Sequence, residues 1–261
     1  GGGRSSSSGG GEGIGALVYL IIRLVIYLPF PINIIVIGLI IVLAIWIAKK
    51  SRQRSVLNQL PTGKTPDSIR GYKQFLEQNP TFNEAAFKET VKNAFLQIQN
   101  GWAAKDISTA RKWLSDGVYQ RFTTQFRMMN ELKQTNTLEN IQVKNVYIDK
   151  IEQDGLFDIV HVAIHASIVD RFVCELDSSL NSGGKEEFVE YWSFLRKRGI
   201  ESKDLFASSA CPNCGAELPA SLGEVSKCEY CGTLLNSGEY DWVLSEITQG
   251  DDLYAPAEAG R

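Results

Sequence analysis

The sequence predicts an α+β protein: helices packed on antiparallel strands, preceded by one or two transmembrane helices and followed by a small zinc ribbon. Three observations carry that expectation. An apolar run fills residues 14–48, helix-period and then strand-period patterns succeed one another over residues 81–204, and two Cys-x2-Cys pairs stand at 211–214 and 228–231. Helices first and strands after them, without alternation, is the order of an α+β domain.

The 261 residues carry 27 Lys and Arg against 30 Asp and Glu, a net charge of -3. That balance argues against a nucleic-acid binder, whose footprint is a strongly basic domain. The chain opens on Gly1 rather than Met, as expected of a processed or truncated product. Residues 1–13, GGGRSSSSGGGEG, form a flexible tract with nothing to bury.

Residues 14–48 are too long for one ordinary span, because about 20 residues cross the hydrocarbon. Pro29 and Pro31 divide the run and predict a helix stop near Leu28 and a new start near Ile32. Residues 32–48 form the better transmembrane helix, polar only at Asn33 and with Trp46 where an interface aromatic belongs. Residues 14–28 carry Tyr19, Arg23 and Tyr27 at spacing four, on one face, which suits an interfacial helix or the first arm of a hairpin. Lys49, Lys50, Arg52 and Arg54 follow at once. By the positive-inside rule they place the rest of the chain on the cytoplasmic side, and they attract anionic lipid at about 1 kcal/mol each. Residues 49–80 read as a basic juxtamembrane linker. Within it, Pro61-Thr-Gly-Lys-Thr65 imitates the end of a phosphate-binding loop, but Asn58 stands where that motif needs Gly, and Pro66 forbids the helix it must open.

From residue 81 the pattern is globular. Phe87, Val91, Phe95, Ile98 and Trp102 recur at helical spacing and predict an amphipathic helix. Asp106 then reads as the N-cap of a second helix with Ile107, Ala110, Trp113 and Leu114 inward, broken at Asp116-Gly117. A third helix is expected from Val118 to about Lys133, carrying Phe122, Phe126 and Met129. Strands follow at Ile141 to Ile148 and, past an Asp154-Gly155 turn, at Phe157 to Asp170, with Phe172 to Leu176 continuing beyond a bend. Asn181 to Gly184 reads as a loop and Glu187 to Arg196 as another strand.

Ile98-Gln99, Trp102, Asp106, Arg111, Leu114-Ser115-Asp116 and Arg121-Phe122, with LENIQVKNVYID, FDIVHVAIHASIVD and EYWSFLR after them, resemble the Tim44-like domain family over roughly Phe82 to Arg198. The resemblance implies a nuclear-transport-factor-two-like cone, a curved antiparallel sheet wrapped over helices around an apolar pocket. It implies a docking role at a membrane, since mitochondrial members hold protein machinery there. Bacterial members combine a Gly/Ser-rich start, a membrane segment and a terminal cysteine module, so the resemblance implies a bacterial inner membrane. The mitochondrial members lack that module, and their motor partners do not transfer.

Candidate chemistry inside the cone is thin. His161 and His165 are the only histidines; four residues of strand span about 13 Å, so they share a face but not a metal ion. Both are expected as satisfied or exposed sheet histidines, Asp106, Arg111, Asp116 and Arg121 as caps and ion pairs, and Cys174 as a half-buried free thiol. No catalytic residue is assigned.

Cys211, Cys214, Cys228 and Cys231 carry the strongest signal. Two pairs, 13 residues apart and each ending in Cys-Gly, predict two knuckles closing a tetrahedral site for structural Zn2+. Disulfides would need an oxidising compartment, which the basic flank opposes. From Leu205 to Arg261 nine acidic residues face two basic ones, so a phosphate backbone is repelled. The ribbon is assigned to residues 205–236. Residues 237–261 are assigned to a packing segment with Tyr240, Trp242, Val243, Leu244 and Ile247, ending in an acidic tail.

The sequence thus points to a non-enzymatic, membrane-anchored scaffold that recruits a protein partner or lipid. The alternative is a small-molecule or lipid-binding pocket protein, or an enzyme, on the same cone. A third reading, RNA contact through the basic juxtamembrane stretch, has no support from the ribbon.

Overall fold

The computed structural model describes residues 58, 60, 64–202, 209–219 and 226–249. The helices expected over residues 14–28 and 32–48, and Lys49, Lys50, Arg52 and Arg54, lie outside the described residues. Among the described residues no helix is long and apolar enough to cross a membrane.

The domain begins earlier than residue 81. Gly71, at φ 79°, turns the chain so tightly against Ile151 that an added Cβ would lie 2.1 Å from the Ile151 carbonyl oxygen. Helix α1 (Tyr72–Gln78) follows and buries Tyr72 and Phe75. Residues 72–78, expected as linker, therefore belong to the core; their apolar spacing is too short to register as a helix period.

Helix α2 (Glu84–Ala104) is the expected stripe: Phe87, Val91, Phe95 and Ile98 are buried and Trp102 half-buried. Asn83 caps it by accepting from the Ala86 amide at 3.0 Å. It ends where Lys105 turns left-handed and Asp106 N–H reaches the Gly101 carbonyl at 2.9 Å. The second helix is a correction in type. It is a six-residue 3-10 turn, Ser108–Trp113, still burying Ile107, Ala110, Trp113 and Leu114. Its N-cap is Ile107 rather than the expected Asp106, which precedes it and accepts from the Ser108 amide at 2.9 Å. Such a short stretch does not repay α-helix nucleation. Helix α3 (Asp116–Glu131) begins at the Asp-Gly pair expected to break the helix, because Ser115 caps it through the Val118 amide.

Four antiparallel strands follow in spatial order β1-β2-β3-β4: β1 (Gln134–Asp154), β2 (Phe157–Cys174), β3 (Ser182–Lys197) and β4 (Val243–Gln249). β1 far outruns the expected Ile141 to Ile148 because its polar ends pair with β2 across three register shifts. β2 runs without a break past Asp170, and the expected loop at Gly183 and Gly184 is paired strand opposite Arg171 and Asp170. Gly183 lies so close to β2 that a Cβ would sit 2.2 Å from the Asp170 carbonyl oxygen.

One sheet face carries Val146, Ile148, Ile151, Val160, Val162, Ile164, Trp192, Phe194 and Leu244 into a single core with the helices. On the other face a smaller cluster gathers Ala163, Val189, Tyr191 and Leu60.

The fourth strand revises the domain plan. Trp242 sits in the core among Phe75, Phe82 and Phe87, with ring centroids 6.2, 6.3 and 5.0 Å away. The Arg196 guanidinium lies 4.4 Å over its ring. Leu114 bridges to Leu244, and the Ser115 amide donates to the Leu244 carbonyl at 2.9 Å. Packing was the expected role of this segment, but its partner is the sheet. The cysteine module is therefore an insertion between β3 and β4, not an appendage after a finished domain.

Candidate metal centre

Each half of the module is a tight knuckle built the same way. Cys211 N–H donates to the Ala216 carbonyl at 2.7 Å, and Gly215 N–H to the Cys211 carbonyl at 2.8 Å. The second half repeats this: Cys228 N–H donates to the Thr233 carbonyl at 2.9 Å, and Gly232 N–H to the Cys228 carbonyl at 2.9 Å. Gly215 and Gly232 share a φ of 75°, a turn that a side chain resists, which explains the glycine after each second cysteine. Short bridges Ala210 to Glu217 and Lys227 to Leu234 close each knuckle.

The two knuckles bring all four thiols together. Their sulfur atoms lie within 4.8 Å of one another, a group that could hold a metal ion. Cys211 Sγ is 3.7 Å from Cys231 Sγ, and Cys214 Sγ is 3.8 Å from Cys228 Sγ. A tetrahedron on Zn–S bonds of about 2.3 Å has edges of about 3.8 Å. The donor set fits such an ion. Four sulfurs leave no open position, so the arrangement suits a structural rather than a catalytic ion.

Electrostatics point the same way. Hydrogen bonds from the Thr233 side chain and amide, and from Asn213, bring the Cys231 thiol down to about 5. At Cys214 the Ala216 amide pulls downward, but burial and the three neighbouring sulfurs outweigh it and push the thiol up to about 12. Four thiols so close cannot all ionise alone; a cation is what lets them.

The module is anchored to the helical layer by residues first read as ordinary caps. Asn236 donates its side-chain amide to the Leu114 carbonyl at 2.9 Å and to Asp116 Oδ1 at 2.9 Å. Arg111, fully buried, donates to the same carbonyl at 2.8 Å, pairs with Asp116 and stacks 4.4 Å over Tyr119. Burial works upward on Asp116, but Asn236 and Arg111 prevail and hold its carboxyl below the usual range. The ion pair was legible; its use as the seat of the module was not. Arg121 is exposed and, among the described residues, takes no part in this seat.

The histidines stand on the sheet face away from the helices, each with its own partner. His165 Nε2 meets Glu187 at 2.7 Å. His161 Nδ1 meets Ser193 Oγ at 2.8 Å. Glu152 lies 3.0 Å from His161 Nε2 yet off the hydrogen-bonding direction, so that nitrogen has no aligned partner. Burial, reinforced by Lys150, holds His161 below the usual histidine range. Cys174 is a free, buried thiol directed at the Leu132 carbonyl, 3.7 Å away.

One residue was missed. β3 turns Phe188, Glu190, Trp192 and Phe194 toward the helices, so Glu190 occupies a core register. A charged residue at an inward place of an alternating strand was the available signal.

The architecture is that of an α+β domain with a cluster of four thiols that could hold a metal ion inserted before its last strand. Residues 68–205 match the model of the Tim44-like domain, and they make up more than half of the 261 residues. The chain belongs to that family. β4 and the cysteine module lie beyond the matched residues. No curated protein matches the chain. Among solved structures, the chain is similar to one titled "Crystal structure of intermembrane space region of chloroplast protein ARC6", at 12% identity and a TM-score of 0.34, covering 62% of this chain and 95% of that one.

Proposed function

We propose that the protein is a membrane-anchored, non-enzymatic scaffold that presents its Tim44-like domain to a protein partner at the inner face of a membrane, a bacterial inner membrane on the resemblance above. Residues 14–48 anchor it. Lys49, Lys50, Arg52 and Arg54 grip anionic headgroups and hold the folded part on the cytoplasmic side. Zn2+ on Cys211, Cys214, Cys228 and Cys231 serves as a structural staple. The observation that carries this reading is family membership over residues 68–205, directly downstream of an apolar and then basic sequence.

The partner surface in this reading is the apolar end of the sheet. Leu132, Val173, Leu176 and Leu180 are 45, 42, 68 and 50% exposed. They are neighbours, because Glu175 N–H donates to the Lys133 carbonyl at 3.0 Å and Cys174 N–H to Asn181 Oδ1 at 2.8 Å. Exposed apolar patches of this kind mark interaction sites.

The test is extraction and isolation of the full chain. Alkaline carbonate should leave it in the membrane fraction. Mild detergent should release it with a protein in fixed ratio, lost when Leu176→Asp and Leu180→Asp are combined. A chain stripped by carbonate, or one isolated alone, overturns the proposal.

A further inference from the structure

The four clustered thiols differ in access. Cys214 and Cys231 are exposed, while Cys211 and Cys228 are buried. Asn213, Glu229 and Tyr230, beside the exposed sulfurs, face solvent as well. Sulfur contacts cross the module and join one thiol of each kind. Exposed Cys231 Sγ lies 3.7 Å from buried Cys211 Sγ, and exposed Cys214 Sγ lies 3.8 Å from buried Cys228 Sγ. A disulfide bond is about 2.05 Å long, so each contact has roughly 1.7 Å left to close. Cys174 supplies the contrast: it is buried against the Leu132 carbonyl and belongs to no such cluster among the described residues.

An accessible sulfur with a resolving sulfur in contact behind it is the make-up of an oxidisable thiol site. We infer that the module is a reversible site of oxidation by a hydroperoxide, with Cys231 and Cys214 the reacting thiols and Cys211 and Cys228 their resolving partners. The inference rests on the structural-ion reading for its metal release; the sulfur chemistry stands on the contacts themselves. The Cys231 thiolate attacks one peroxide oxygen and the O–O bond breaks. Hydroxide leaves, takes a proton and becomes water, and the sulfur is left as a sulfenic acid. The Cys211 thiolate then attacks that sulfur. The S–S bond forms, the S–O bond breaks, and a second hydroxide leaves and takes a proton to become water. Two electrons thus pass from the pair to one peroxide, and a second peroxide is consumed in the same way at Cys214 and Cys228. A thiolate is a metal ligand and a disulfide is not, so closing the pairs releases the cation. Both bonds tie one knuckle to the other, which keeps the module closed without it. In a reducing compartment a dithiol reductant returns the four thiols.

The experiment treats the reduced, zinc-loaded full chain in detergent with hydrogen peroxide. Zinc release is read with a chromogenic chelator against an untreated control, and thiol pairing by peptide mass spectrometry. Zinc should leave in step with thiol loss, at about two peroxides per ion. The joined peptides should be Cys211 with Cys231 and Cys214 with Cys228, while Cys174 stays reduced. Dithiothreitol and added zinc should restore the starting state, and Cys174→Ser should change neither release nor pairing. Four thiols that stay reduced under peroxide overturn the inference. So do bonds within a knuckle, Cys211 with Cys214 or Cys228 with Cys231, and so does sulfinic acid in place of disulfide. A reduced chain that takes up no zinc overturns the metal reading instead, and the pairing found in that same chain still decides the sulfur chemistry.

Discussion

The sheet domain and the cysteine module reach stability by opposite means. The domain buries a continuous aromatic and aliphatic core, in which Phe75, Val91, Phe95 and Phe194 have no exposure at all. The module's own core is Cys211, Cys228 and Leu235 with Leu218 against them, too little to fold on burial alone. In place of apolar area the module gathers four thiols, a group that could hold a metal ion. The comparison teaches more because the two are not consecutive: the chain leaves the sheet after Lys197, builds the module, and returns as β4. The last strand of the larger region thus follows the smaller one in the chain, and whether its placement relies on the module is what metal removal tests.

The comparison breaks most sharply at a buried ligand. Cys228→Ser should abolish stoichiometric metal in native mass spectrometry and expose the module to protease, since metal supplies on the order of 10 kcal/mol in zinc-finger peptides. Cys174→Ser, on a thiol outside the cluster, should leave the metal in place. Next in size is Trp242→Ala. It removes an aromatic packed on three others and on Arg196, and should cost about 3–5 kcal/mol in denaturant unfolding while the metal stays bound. A cost under about 1 kcal/mol would mean that β4 is not part of the core.

Asn236→Ala probes the seam itself. Losing both hydrogen bonds to Leu114 and Asp116 should cost about 1–3 kcal/mol without releasing metal. The smallest effect is pH-dependent and belongs to the sheet alone. His161 titrates below its unfolded value of about 6.5, so the unfolded chain binds the proton first and stability falls as pH drops below that value. His161→Gln should flatten this decline in unfolding midpoints as pH drops below about 6.5. An unchanged slope would place the acid sensitivity elsewhere.

Legibility followed range. The α2 stripe and the paired cysteines are local patterns, and both stood in the sequence at the spacing the structure uses. The polar ends of β1 were missed because only their partner strand makes them strand. The place of β4 was hidden for a stronger reason: its partner Glu190 to Leu195 is dozens of residues upstream, beyond the module, and long-range pairing leaves no local mark. Asp116 illustrates the same limit. Its place near a helix end was readable, though as a break rather than a start, while its bond to Asn236 joins distant parts of the chain.

The most direct test is hydrogen–deuterium exchange on the full chain before and after metal removal with a zinc chelator. Protection of the β4 amides, residues 243–249, should fall together with that of residues 209–219 and 226–236, while the paired centre of β1 and β2 stays protected. A module that loses its protection while β4 keeps all of its own would contradict a last strand placed through the four-cysteine module.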